Sequence, residues 1–159
     1  MGYWDHREIL LHEVQLGNNF YIHTVRTVIV TGLHISGKVQ VADFFSGEII
    51  NQDITFKNLI PIDLPKGANI SLLEGDLKST VFKKVGLAKF IAKFDDLKVI
   101  IERDFSVYPK WRMTLVDDEG VIDEDVVEFY HELQNTYTRF TKKRLVISRV
   151  SNNGNIINE

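Results

Sequence analysis

Residues Lys89 to Glu102 constrain the fold more than any other stretch, because they read as two strands folded on each other across Asp95-Asp96. With Asp95-Asp96 as a two-residue loop, the pairing order is set: Phe94 meets Leu97, Ala92 meets Val99 and Phe90 meets Ile101. These pairs make one face wholly apolar. On the other face Ile91 meets Ile100, and Lys89 meets Glu102 in an opposite-charge pair worth ~0.2–1 kcal/mol. Lys93 opposite Lys98 is the one unfavourable pair. A slip of a single residue would scramble both faces, so the apolar pattern specifies the register. Trp111, Met113 and Leu115 then alternate with Arg112, Thr114 and Val116, which adds a third strand after a loop over Asp104 to Lys110 that contains Pro109.

The first half also reads as β-rich. Ile9 to Leu16 is strand-like and ends at the turn residues Gly17-Asn18-Asn19. Phe20 to Val30 is dense in β-branched residues, which favour extended backbone. Thr31-Gly32 and Ser36-Gly37 compete as the turn before Val39 to Phe45, and Ser46-Gly47 leads into a further strand over Glu48 to Phe56. Pro61 and Pro65 bracket an extended edge or connecting segment that ends at Lys66-Gly67. Leu77, Val81, Phe82 and Val85 recur at helical spacing between Asp76, an N-cap, and Gly86, a C-cap; Ser79-Thr80-Val81-Phe82 would equally suit a strand.

A helix is expected over Gly120–Thr141. Val126, Phe129, Tyr130, Leu133, Tyr137 and Phe140 form one apolar stripe at three- and four-residue intervals. Asp123, Glu124 and Asp125 fall in its first turn, and Arg139, Lys142, Lys143 and Arg144 at or beyond its last. That order complements the helix dipole at roughly 0.3–1 kcal/mol per well-placed charge. Its outer face carries His131 and Gln134. Leu145 to Val150 reads as a final strand, and 151–159 as a frayed polar tail. The expectation is a single α+β domain over 1–150: a mainly antiparallel sheet, curved or half-barrel, with one long amphipathic helix packed on it near the C-terminus. Tyr130, Tyr137 and Phe140 anchor the helix opposite Phe90, Val99 and Ile101.

Composition excludes several classes. The 159 residues are 44% hydrophobic and 26% charged, which supports a packed core. A net charge of -3 gives no general attraction to nucleic acid or anionic membrane. With no cysteine there is no disulfide framework, thiolate zinc site or cysteine nucleophile, as in a cytoplasmic protein. The first residues lack a basic and then apolar region, so no signal peptide is expected, and no apolar run reaches the ~20 residues that span a bilayer. Frequent Asn, Ile and Lys with scarce Ala and Pro resemble the output of an AT-rich genome, bacterial or phage.

No catalytic pattern rises above chance. His6, His12, His23, His34 and His131 show neither the i, i+4 spacing of a helical zinc site nor that of a finger. His23 and His34 would approach each other if their strands paired so, and a carboxylate would then complete a phosphoesterase-like metal site. His34-Ile35-Ser36 matches half of the paired His-x-Ser/Thr arrangement of two-histidine phosphoesterases, without the second half. Asp63 with Asp76-Leu77-Lys78, or Asp96-Leu97-Lys98, fits the acidic pattern of metal-dependent nucleases, in which carboxylates hold magnesium and lysine stabilises developing charge. Two such matches in a chain this rich in Asp and Lys show how cheaply the pattern arises. The run Asp117-Asp118-Glu119-Gly120 with Asp123-Glu124-Asp125 fails the EF-hand loop. Glycine-rich phosphate loops and a nucleophile elbow are absent from the sequence.

No catalytic, cofactor-binding or metal residue is therefore assigned, and no cofactor is expected. The leading expectation is a non-enzymatic binding or regulatory protein acting by protein–protein recognition, with Tyr3, Trp4, Tyr108 and Trp111 as interface aromatics. The alternatives are a nucleic-acid-associated protein using Arg139, Lys142, Lys143, Arg144 and Arg149, and a metal-dependent phosphoesterase or nuclease. A membrane partner is not expected.

Overall fold

In the computed structural model, residues 8–23, 26–65, 72–78, 80–103 and 110–147 are described. Strands β1 (Asn19–Ile22), β2 (Arg26–Leu33) and β3 (Val39–Asp43) form a three-stranded antiparallel sheet. After helix α1 (Leu72–Leu77) come β4 (Lys83–Gly86), β5 (Lys89–Phe94), β6 (Leu97–Arg103), β7 (Trp111–Asp117) and β8 (Gly120–Val127), a five-stranded meander in sequence order. Helix α2 (Tyr130–Thr141) follows. The protein is thus α+β with antiparallel sheets, and its strands divide between two sheets instead of forming one curved sheet.

The β5–β6 register is the one dictated by the apolar pattern, from Phe94 opposite Leu97 to Lys89 opposite Glu102. Phe90, Ala92, Val99 and Ile101 are buried on the inner face. β7 continues the meander with Trp111, Met113 and Leu115 facing the same core.

The expected helix over Gly120–Thr141 is corrected: its first eight residues are strand β8. Asp117 causes the reversal. Its Oδ1 accepts the backbone N–H groups of Glu119 and Gly120 at 2.8 and 3.1 Å, and Gly120 takes φ +132°, a value L side chains avoid. Asp123, Glu124 and Asp125 therefore lie on an edge strand and not at a helix terminus. α2 starts only at Tyr130, where the Glu132 carboxylate accepts the N–H groups of Glu128 and Phe129 at 2.8 and 3.3 Å. It stops at Lys142, whose φ of 62° is left-handed.

Four residues of the expected stripe, Tyr130, Leu133, Tyr137 and Phe140, lie in one core with Phe90, Val99 and Ile101. The opposite face of α2 is not wet, however. His131 and Gln134 are buried there, against β1 and the turn of 3-10 helix at Leu11–Glu13. α2 is thus held between the two sheets. A second core, with Phe20, Ile22, Val28, Val30 and Val41, fills the three-stranded side.

Elsewhere in the first half, Ile9 to Leu16 is not a strand, because Glu13 folds back to accept the Leu10 N–H at 2.9 Å and nucleates the 3-10 turn. Phe20 to Val30 is two strands, broken at His23, whose φ is 50°. Of the competing turns, Ser36-Gly37 is used, with Gly37 at φ 98°, while Gly32 stays in β2 beside a bulge. Glu48 to Phe56 makes only single bridges, Ile49 to Ala42 and Thr55 to Lys38.

The later connections also depart from expectation. Asp76 lies in the last turn of α1 instead of capping a following helix, and the next residues enter β4. Leu145 to Ile147 is buried at both ends but joins no ladder, so no final strand forms among the described residues. Residues 148–150 and the tail lie outside the described residues.

Candidate functional site

The junction of the 3-10 turn, β8 and α2 forms a polar cavity of about 530 Å³. Glu13 comes from the 3-10 turn, Asp125 from β8, and His131, Glu132 and Arg139 from α2. His131 Nε2 lies 3.0 Å from Glu13 Oε1. The imidazole is fully buried, with the Phe20 and Phe129 rings 4.8 and 6.0 Å from its centre. Both glutamates are oriented by backbone bonds, Glu13 through Leu10 N–H and Glu132 through Glu128 and Phe129 N–H. Ligand atoms of Glu13, His131 and Glu132 all lie within 4.8 Å of one another. The far wall is a charge clamp: Arg139 meets Asp125 at 3.1 Å and Asp123 at 3.4 Å, and Thr136 donates to Asp125 at 3.2 Å.

A second feature lies at the tip of the β2–β3 hairpin. Ile35 is 94% exposed, and Leu33, 44% exposed, lines an open groove of about 570 Å³ with Ile35's chain neighbours His34 and Ser36. The turn beneath Ile35 is cross-braced. His34 N–H donates to Lys38 O at 3.0 Å, Gly37 N–H to His34 O at 2.9 Å, and Ser36 N–H to His34 Nδ1 at 3.1 Å. Ser36 Oγ also lies 2.7 Å from Nδ1. Folding therefore presents an isoleucine to solvent on a rigid support.

A third cluster surrounds buried Asp76, which accepts a hydrogen bond from the Tyr130 hydroxyl. Burial, then the negative charge of Asp76, pushes the Tyr130 hydroxyl well above the ordinary phenol value. Tyr21 is also raised, by burial and then by Asp63 and Asp76. Asp63 and Asp76 thus both act on Tyr21, but sharing that neighbour does not assemble the nuclease pattern. Asp76 is also sealed in the core, 1% exposed, where no substrate reaches it.

The other sequence candidates are scattered. His23 and His34 are brought to opposite ends of β2, His23 beside Gln52 at 3.0 Å and His34 beside Ser36, so they build no joint site. Trp111 is a core residue, 1% exposed, with its indole N–H donating to Pro65 O at 3.0 Å, and offers no surface for a partner. Tyr3, Trp4, Tyr108 and Arg149 lie outside the described residues. Of the basic set, Arg139 is committed to Asp123 and Asp125. Lys142, Lys143 and Arg144 are exposed beyond α2, with Lys143 Nζ 5.4 Å from the Phe94 ring centre.

Sequence reasoning missed Glu13, His131 and Glu132 as a group, because no spacing rule links residues 118 positions apart. Ile35 carried a readable signal: a lone apolar residue inside a turn.

Comparison with protein families, with curated proteins and with solved structures finds no match. Among the described residues no helix is long and apolar enough to cross a membrane.

Proposed function

We propose that this protein is a non-enzymatic binding module that acts by protein–protein recognition, with the β2–β3 tip as its contact surface. The observation that carries this reading is Ile35, 94% exposed on a turn whose backbone is braced by hydrogen bonds on both sides of it. An isoleucine held in water costs solvation free energy that burial against a partner recovers, at about 25 cal/mol per Å². A rigid turn also spares most of the ordering entropy on binding. Leu33 and the adjoining groove widen the apolar contact.

The absence of cysteine and the Asn-, Ile- and Lys-rich composition support a cytoplasmic setting and a bacterial or phage origin. The test is affinity capture with the intact chain and an Ile35→Asp variant, with Leu87→Asp as control. Leu87 is nearly as exposed as Ile35, at 88%, but lies on the other sheet's β4–β5 turn. Loss of the same captured protein in Ile35→Asp alone supports the reading, and equal capture by all three chains ends it.

Nucleic-acid contact through Lys142, Lys143 and Arg144 is the weaker reading. The ion pairs of Arg139 with Asp123 and Asp125 remove one cation from the set and place two carboxylates beside it.

A further inference from the structure

We propose that Glu13, His131 and Glu132 bind one divalent transition-metal ion of the zinc class. This inference is independent of recognition through the β2–β3 tip. It rests on the mixed character of the donors: one imidazole and two carboxylates, from two elements far apart in sequence, converge within 4.8 Å. Carboxylates alone would suit calcium or magnesium, but an imidazole donor selects zinc and its neighbours. Two carboxylates with a neutral imidazole also balance the charge of a divalent ion.

One donor pair already stands close to the spacing of a zinc site. Zinc bound at about 2.0–2.2 Å by N and O ligands in a tetrahedron holds its donors roughly 3.3–3.6 Å apart. His131 Nε2 and Glu13 Oε1 stand at 3.0 Å and need open only slightly to admit the ion between them.

The donors are also held in place as metal ligands are. Leu10 N–H bonds Glu13 Oε2, leaving Oε1 turned toward His131, and two N–H groups bond Glu132 Oε1. Phe20 and Phe129 pack beside the His131 ring. The adjoining cavity, which His12 also lines, leaves room for a fourth ligand from water or protein. The positive end of α2 opposes a cation here, and the two carboxylates offset that field.

The competing account is that His131 and Glu13 are only a structural ion pair tying α2 to the 3-10 turn. Zinc uptake separates the two. The intact chain is stripped with EDTA, equilibrated with Zn²⁺ and assayed for bound metal by mass spectrometry, with Co²⁺ absorption reporting coordination geometry. Glu13→Gln and Glu132→Gln both keep an oxygen to accept the backbone N–H groups, so they retain the fold, as circular dichroism would verify. We expect one ion per chain, affinity lowered at least about tenfold in each Gln variant, and no change in His34→Ala, whose imidazole sits at the β2–β3 tip. Retention of no zinc, or zinc affinity undiminished in both Gln variants, overturns the proposal.

Discussion

Gln134 closes on Asn19 twice: its Oε1 accepts the Asn19 backbone N–H at 3.0 Å, and its Nε2 donates to Asn19 Oδ1 at 2.9 Å. The same Nε2 reaches Gly17 O at 3.1 Å and Leu145 O at 3.2 Å. One buried side chain on α2 thereby joins the start of β1 to the segment that follows the helix. It ties the three-stranded sheet to α2.

Replacing Gln134 by Leu keeps the volume and removes all of these bonds. Buried groups left without a partner cost about 1–3 kcal/mol each, so the variant should lose about 3 kcal/mol or more. Urea unfolding followed by circular dichroism measures this, and amide exchange at Asn19 should quicken. A loss below about 1 kcal/mol would show that Gln134 is not the tie described.

β8 is one of the two edge strands of the five-stranded sheet, and its acidic residues guard it. Asp123 Oδ1 accepts the N–H of Glu124 at 2.8 Å, and Asp125 Oδ1 that of Val126 at 2.8 Å. In an antiparallel pair alternate residues turn their N–H away from the partner, so these bonds occupy groups another strand would seek. Ile122 is an extra residue between the pairs Leu115–Asp123 and Val116–Val121, a bulge that further spoils the edge. Asp123→Val with Asp125→Val should therefore self-associate more than the parent as concentration rises, read by light scattering. Identical masses for the two chains would refute the guarding role.

Burial and then the Asp76 charge raise the Tyr130 hydroxyl well above its ordinary value, so folding favours the neutral phenol. That stability is fully present below the unfolded tyrosine value of about 10 and is lost as pH climbs from there toward the folded value. Tyr130→Phe should be less stable near neutrality by about 1–3 kcal/mol, since Asp76 loses a donor. The variant should also show a shallower decline above pH of about 10. Circular dichroism between neutral and strongly alkaline pH checks both, and parallel curves for the two chains would contradict the assignment.

What the sequence revealed follows from the range of each interaction. The β5–β6 register was legible because three alternate pairs together make one apolar face, which a one-residue slip would scramble. The helix stripe from Tyr130 to Phe140 was legible for the same reason. Its start was misplaced because Asp123, Glu124 and Asp125 suit a helix N-terminus as well as an edge strand. The choice between them is made by the Asp117 turn and by pairing with β7. His131 and Gln134 looked solvated because one helix was matched to one sheet. Their burial depends on a second sheet whose contacts lie more than a hundred residues away. The same distance hid the Glu13–His131–Glu132 group.

Recognition at the β2–β3 tip is the central claim, and a photo-crosslinking residue in place of Ile35 tests it most directly. Placed at position 35, it should join the chain to one defined protein in its native lysate, and that product should vanish when unlabelled parent chain competes. The same residue in place of Leu87 should give no such product. Matching products from both positions, or a position-35 product that the parent chain does not displace, would contradict the account.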